Sequence, residues 1–163
     1  MSGKLHKFRA ERALISYSLS ADIPKKLRGE AAEYLIALKL LEYRIRCERT
    51  KKPYTDWLAF PAFKKSAKRT PIQVKSVSLK KHGYQIEIYP KPLALFEGWY
   101  LVLIEHKPKD FLLYILSNEM KKEFEKAKLK RNGHLRVSIP NDLSGGWSDY
   151  LNPKKFIEAV LLP

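Results

Sequence analysis

The sequence predicts an α/β fold, a single domain with a mixed central sheet flanked by helices. Three observations lead there. Residues 25–43 carry apolar side chains at helical spacing. Three strand-like runs follow, at 43–48, 55–60 and 71–78. Two apolar strands, 99–105 and 111–116, then alternate with helical segments, the pattern of a sheet with helices packed on it.

Residues 1–24 mix charged and small residues around Ala13-Leu14-Ile15 and read as an N-terminal arm or a short helix ending at Pro24. The domain proper spans 25–163. In the first helix Leu27, Ala31, Tyr34, Leu38 and Leu41 recur every three or four residues, and Ile36, Ala37 and Leu40 widen the apolar surface. Such a helix is expected to be largely enclosed. Glu30 and Glu33 are placed in its first turn, where a carboxylate suits the helix dipole.

After the strand at 43–48, Thr50-Lys51-Lys52-Pro53 makes a basic turn, and 55–60 forms a second strand carrying Asp56. The stretch 61–70 reads as an exposed hairpin loop, and 71–78 as the third strand. Residues 84–89 alternate less regularly and make a further strand. His106-Lys107-Pro108-Lys109-Asp110 turns the strand at 99–105 into that at 111–116. A charged helix follows at 118–130, with Ser117 or Asn118 as N-cap and Asn132-Gly133 as its stop. The strand 135–139, a turn-rich stretch through Gly145-Gly146, and a short helix opened by Asn152-Pro153 complete the chain. Phe156, Ile157 and Val160 form the inner face of that last helix.

Charge gives the first functional indication. The chain has 32 Lys+Arg against 17 Asp+Glu in 163 residues, a formal charge of +15. A domain this basic is drawn to polyanions, nucleic acid foremost. Cys47 is the single cysteine, which excludes an intrachain disulfide framework and a cysteine zinc site and suits a reducing cytoplasm. No apolar run of signal-peptide length follows the basic start, and none approaches the roughly 20 residues of a membrane span, so no membrane partner is expected.

Four residues carry the candidate chemistry: Glu33, Asp56, Gln73 and Lys75. In Ile72-Gln73-Val74-Lys75-Ser76 alternation sends Gln73 and Lys75 to one face and Ile72 and Val74 to the other. A neighbouring strand would bring Asp56 beside Gln73, and the helix bearing Glu33 would close the site. Hard divalent cations take oxygen ligands, here Asp56, the Gln73 amide, the Val74 carbonyl and Glu33. Lys75 would orient a water or offset charge on phosphorus.

Gly29-x-x-x-Glu33, Tyr54-Thr55-Asp56 and Ile72-Gln73-Val74-Lys75-Ser76 together resemble the PD-(D/E)XK nuclease superfamily, in the branch with Gln at the middle acid. That branch includes intron-encoded homing endonucleases and is more distantly similar to archaeal Holliday-junction resolvases. The resemblance spans about residues 27–120. It implies a restriction-endonuclease-like fold and a DNA endonuclease using Mg²⁺ or Mn²⁺, assembled as a homodimer or homotetramer. It also implies that Asp56 is the metal-binding aspartate, Gln73 the second acid's replacement, Lys75 the catalytic lysine and Glu33 the helix glutamate, with Glu30 as second choice. Thr55 stands where many members have proline, and Gln73 removes one negative charge from the metal site.

Lys51, Lys52, Lys64, Lys65, Lys68, Arg69, Lys80 and Lys81 flank these motifs and are expected to form a rim for the DNA backbone. The competing reading is a non-catalytic nucleic-acid-binding protein with a degenerate nuclease fold. A third is a basic structural or ribosome-associated protein, which would not gather Glu33, Asp56, Gln73 and Lys75.

Overall fold

A computed structural model describes residues 24–64, 67–80, 83–106, 110–125 and 133–162. Helix α1 (Lys25–Leu41) is followed by strands β1 (Ile45–Arg49), β2 (Trp57–Pro61), β3 (Thr70–Lys80) and β4 (Gly83–Ile88). A short helix α2 (Pro90–Leu95) leads to β5 (Trp99–Glu105) and β6 (Phe111–Leu116). Helix α3 (Ser117–Phe124), β7 (Leu135–Ile139), a 3₁₀ turn (Trp147–Leu151) and helix α4 (Lys154–Leu161) complete the order.

The sheet is mixed, as expected, and has seven strands. β3, its longest strand, organises it. Thr70, Pro71 and Ile72 pair antiparallel with β2. Ile72–Ser78 runs parallel to β5. Leu79 and Lys80 turn into β4, which pairs antiparallel with β7. β1 lies antiparallel to β2, and β6 to β5. Parallel β3 and β5 need a long crossover; β4 and α2 provide it.

β5 is apolar on both faces because both are covered. Trp99, Leu101 and Leu103 join a core with Ala32, Ile36 and Leu40 of α1 and Phe156 and Val160 of α4. Tyr100, Val102 and Ile104 join a second core with Ile86 of β4, Val137 of β7, Met120 and Phe124 of α3, and Trp147. Helices therefore flank both sides of the sheet. At the entry to β5, Gly98 lies so close to β3 that a Cβ there would sit 2.4 Å from the Pro71 carbonyl oxygen.

Several elements depart from the sequence reading. The stripe of α1 that packs on the sheet is Ala32, Ile36 and Leu40, whereas Leu27, Tyr34 and Leu41 are exposed. The helix is thus covered on one side only. Its start at Lys25 puts Glu30 and Glu33 beyond the first turn, which holds no acid. Ser117 and Asn118 do not cap α3. Leu116 occupies that position, and its N–H is taken by Glu119 at 3.2 Å. Ser117 is buried and bonded to Gly98 across the strand entry, its N–H donating to the Gly98 carbonyl at 2.9 Å. The helix α3 ends at Phe124, and residues 126–132 lie outside the described residues. The α2 turn, started by prolines, carries no helical period long enough to read from sequence. Trp57, Trp99 and Trp147 are all core residues. The arm 1–23 lies outside the described residues.

Candidate active site at the β2–β3 junction

Asp56 sits one residue before β2, not within a strand. The last β2–β3 pair is Trp57 with Ile72, and Asp56 lies one residue beyond it on the β2 side. Here the ladder gives way to side-chain bonding. The Asp56 N–H donates to the Ile72 carbonyl at 2.9 Å, and Asp56 Oδ2 accepts the Val74 N–H at 2.7 Å. Tyr54, two residues earlier, adopts a left-handed φ of 60° that turns the chain into this approach.

In a strand, a residue's N–H and C=O point to the same edge. The Val74 carbonyl therefore faces the Asp56 side, past the end of β2. Gln73 and Lys75 project to the same face as Val77, toward the core of β4, β7 and α3, while Val74 packs on the α1 side. Gln73 is buried, and its Oε1 has no hydrogen-bond partner among the described residues.

The charges at this junction are coupled. Burial pushes the Asp56 carboxyl above its ordinary range, against the Val74 hydrogen bond and the attractions of Lys75 and Arg49. Burial likewise lowers the Lys75 ammonium, and Asp56 opposes that shift. Glu33 is raised first by burial and then by the Asp56 carboxylate, with Arg49 acting against both. Asp56 thus interacts with Lys75 on one side and with Glu33 on the other. Gln73 lies between Ile72 and Val74, the two residues whose main-chain groups bond Asp56. Glu30 contributes only a small repulsion to Glu33.

Two residues at the site escaped the sequence reading. Arg49, the last residue of β1, donates to Glu33 Oε2 at 3.0 Å and lies 5.2 Å from the ring centres of both Tyr34 and Trp57. It fixes the glutamate of α1 from β1, a contact between helix and strand that only the tertiary structure reveals. Tyr100 is the β5 partner of Gln73 on the same face. It is fully buried, and its hydroxyl has no hydrogen-bond partner among the described residues. Burial raises that phenol strongly. Its place within an apolar strand gave no sequence signal.

The predicted basic rim divides along β3. Lys51 and Lys52 are exposed in the loop that leads to Asp56. Lys64 and Lys68 are exposed in the connection before β3, and Lys80 is exposed at its far end. At about 3.3 Å per residue, the ends of β3 lie roughly 33 Å apart, close to ten base pairs of duplex. Arg69 is bonded to Glu48 and lies 5.0 Å from the Phe60 ring centre, so its charge is already engaged. Lys65 and Lys81 lie outside the described residues.

Among the described residues, no group of three or more His, Cys, Asp or Glu side chains is placed to hold a metal ion. Asp56 and Glu33 interact electrostatically here, and the sequence-predicted set adds the Gln73 amide oxygen and the Val74 carbonyl. All are oxygens, which suits a hard divalent cation. The buried Gln73 Oε1 supports that fit, because an acceptor with no donor is costly and a cation would satisfy it. Asp56, Gln73, Val74 and Glu33 are the residues that could hold such an ion.

No protein-family model and no curated protein matches the chain. Among solved structures the fold is similar to that of Hjc, a Holliday junction resolvase from the archaeal hyperthermophile Archaeoglobus fulgidus. The identity is 10%, the match covers 80% of this chain and 95% of that one, and the TM-score is 0.49. Among the described residues, no helix is long and apolar enough to cross a membrane.

Proposed function

We propose that the chain is a Mg²⁺- or Mn²⁺-dependent endonuclease that hydrolyses DNA phosphodiester bonds, with a restriction-endonuclease-like site of the PD-(D/E)XK type. One observation carries this reading. Asp56 is clamped to the backbone of the strand that bears Gln73 and Lys75, and it interacts electrostatically with Lys75 and Glu33.

A bound divalent ion would supply polarisation of the scissile phosphate and activation of a water. The residues do the rest. The Val74 N–H holds Asp56 Oδ2 and so anchors the carboxylate to β3. Gln73 adds a neutral oxygen from the same face as Lys75. The Asp56 carboxylate favours the protonated form of Lys75 against burial, keeping an ammonium where negative charge builds on phosphorus. Raised carboxyls at Glu33 and Asp56 are better proton acceptors than exposed ones. Exposed Lys51 and Lys52 precede Asp56 and would bind the backbone next to the scissile bond.

A second reading, a non-catalytic DNA-binding protein of the same fold, is favoured by Gln73. With an amide there, only two carboxylates remain to hold an ion. The test is cleavage of linear, supercoiled and four-way-junction DNA with Mg²⁺ or Mn²⁺, comparing wild type with Asp56→Ala and Lys75→Ala. Cleavage by wild type and its loss in both variants supports the enzyme. Binding without cleavage of any substrate supports the second reading. Full-rate cleavage by both variants places the chemistry elsewhere.

A further inference from the structure

We infer that β1 is the interface between two copies of this chain, paired edge to edge about a two-fold axis at Cys47. The first observation is topological. β1 stands at the end of the sheet, and among the described residues its one strand partner is β2. An open strand edge presents a row of N–H and C=O groups that can pair with another strand.

The second observation is which groups face outward. The Ala62 N–H donates to the Arg44 carbonyl at 2.8 Å, just beyond the Ile45–Pro61 pair. Hydrogen-bonded and non-hydrogen-bonded pairs alternate along an antiparallel ladder. Arg46 and Glu48 therefore direct their main-chain groups at β2, and Ile45, Cys47 and Arg49 direct theirs at the open edge.

The third observation is that this edge is complementary to itself. Take a second β1, antiparallel, with Cys47 opposite its counterpart. Ile45 then faces the partner copy's Arg49, and each outward N–H and C=O meets its complement. In the same register Arg46 faces the other copy's Glu48, and Glu48 faces the other copy's Arg46. These two are non-hydrogen-bonded positions, where opposing side chains come closest. Both residues are exposed. Glu48 already accepts from Arg69 of its own chain, and its carboxylate can take a second guanidinium. No other register of this strand pairs all three outward residues and both charges.

The surroundings suit a covered surface. Beside the edge lies a groove of about 220 Å³ lined by Tyr34, Leu38, Leu41 and Cys47 among others. The outward side of α1 exposes Leu27, Tyr34 and Leu41. A two-fold at Cys47 brings the two α1 helices together on one face of the joined sheet, so the apolar stripe and the strand edge are covered by the same contact. A charged edge can also serve to prevent pairing, but here the charges are placed to attract a second copy.

Sedimentation of the full chain from about 1 to 100 μM tests this without reference to DNA or metal. Wild type should approach twice the 19.0 kDa chain mass. Arg46→Glu alone and Glu48→Arg alone each set like charges opposite, and should weaken association by about tenfold or more. An equimolar mixture of the two single variants should form heterodimers, because each then opposes the other's charge. The double variant Arg46→Glu/Glu48→Arg should self-associate again. Circular dichroism melts establish that each variant is folded. A wild type that stays at monomer mass overturns the proposal, including the case where residues 1–23 cover the edge and their deletion permits dimers. So does association unaffected by either single variant, or a mixture that does not pair. Loss of nuclease activity with this pattern intact would count against the chemistry alone.

Discussion

Asp56 Oδ2 accepts the main-chain N–H of Val74 at 2.7 Å, at the point where β2 stops pairing with β3. A carboxylate thus completes the hydrogen bonding of the strand that carries the other candidate catalytic groups. Structure and chemistry can be separated at this residue. Asp56→Ala leaves the Val74 N–H without its acceptor and should cost about 1–3 kcal/mol in thermal or urea unfolding. Asp56→Asn retains an oxygen there and should lose much less stability. Both should abolish divalent-ion-dependent cleavage. Equal destabilisation by the two would show that the hydrogen bond is not what Asp56 contributes.

Burial raises both Asp56 and Glu33, so the folded state holds their protons more tightly than the unfolded state. Between the ordinary carboxyl values, near pH 4, and the raised ones, the folded state binds more protons. Stability must therefore fall as pH rises through that window. Asp56→Asn should remove part of this decline, seen as a shallower difference in urea midpoint between acidic and neutral pH. Saturating Mg²⁺ should offset the decline in wild type by about 2.7 kcal/mol at one hundred times its dissociation constant. An unchanged pH slope in Asp56→Asn would mean that the carboxyl is not desolvated in solution.

Gln73 carries a buried oxygen with no donor among the described residues. Gln73→Glu should tighten Mg²⁺ binding, read as a larger metal-induced rise in melting temperature. Without metal it should lower the melting temperature at neutral pH, because a third carboxylate joins Asp56 and Glu33. Gln73→Met should leave the metal-free protein at least as stable as wild type, since the orphaned acceptor is gone. A metal response unchanged by Gln73→Glu would take Gln73 out of the ligand set.

Salt dependence should distinguish engaged from available cations. Lys68 is exposed, whereas Arg69 is bonded to Glu48 and stacked near Phe60. If Lys68 contacts a phosphate, Lys68→Ala should lower the slope of log affinity against log salt by about 0.9. Arg69→Ala should change it less. The reverse order would show that DNA displaces the Glu48 pair.

Gly98 is required by the spacing of β3 and β5, not by its backbone angle. An added Cβ would meet the Pro71 carbonyl oxygen at 2.4 Å, and a backbone atom cannot swing aside. Gly98→Ala should cost about 1–3 kcal/mol or more by chemical denaturation. An Ala variant as stable as wild type would show that the entry to β5 is looser than drawn.

The sequence by itself determined most element types, though not the short α2, and the shared face of Gln73 and Lys75, because strand alternation is local and needs no knowledge of neighbours. Composition likewise established the basic character of the surface. Local pattern misjudged α1, where an apolar stripe and a buried stripe have the same period and only packing tells them apart; Ala32, Ile36 and Leu40 face the sheet, while Leu27, Tyr34 and Leu41 do not. Tertiary structure alone decided that Asp56 ends the β2 ladder by bonding Val74, that Arg49 holds Glu33, and that Tyr100 lies opposite Gln73. Each is a contact across strands or between helix and strand. Such contacts depend on register, which is fixed by the burial of both sheet faces together and is not written in any one segment.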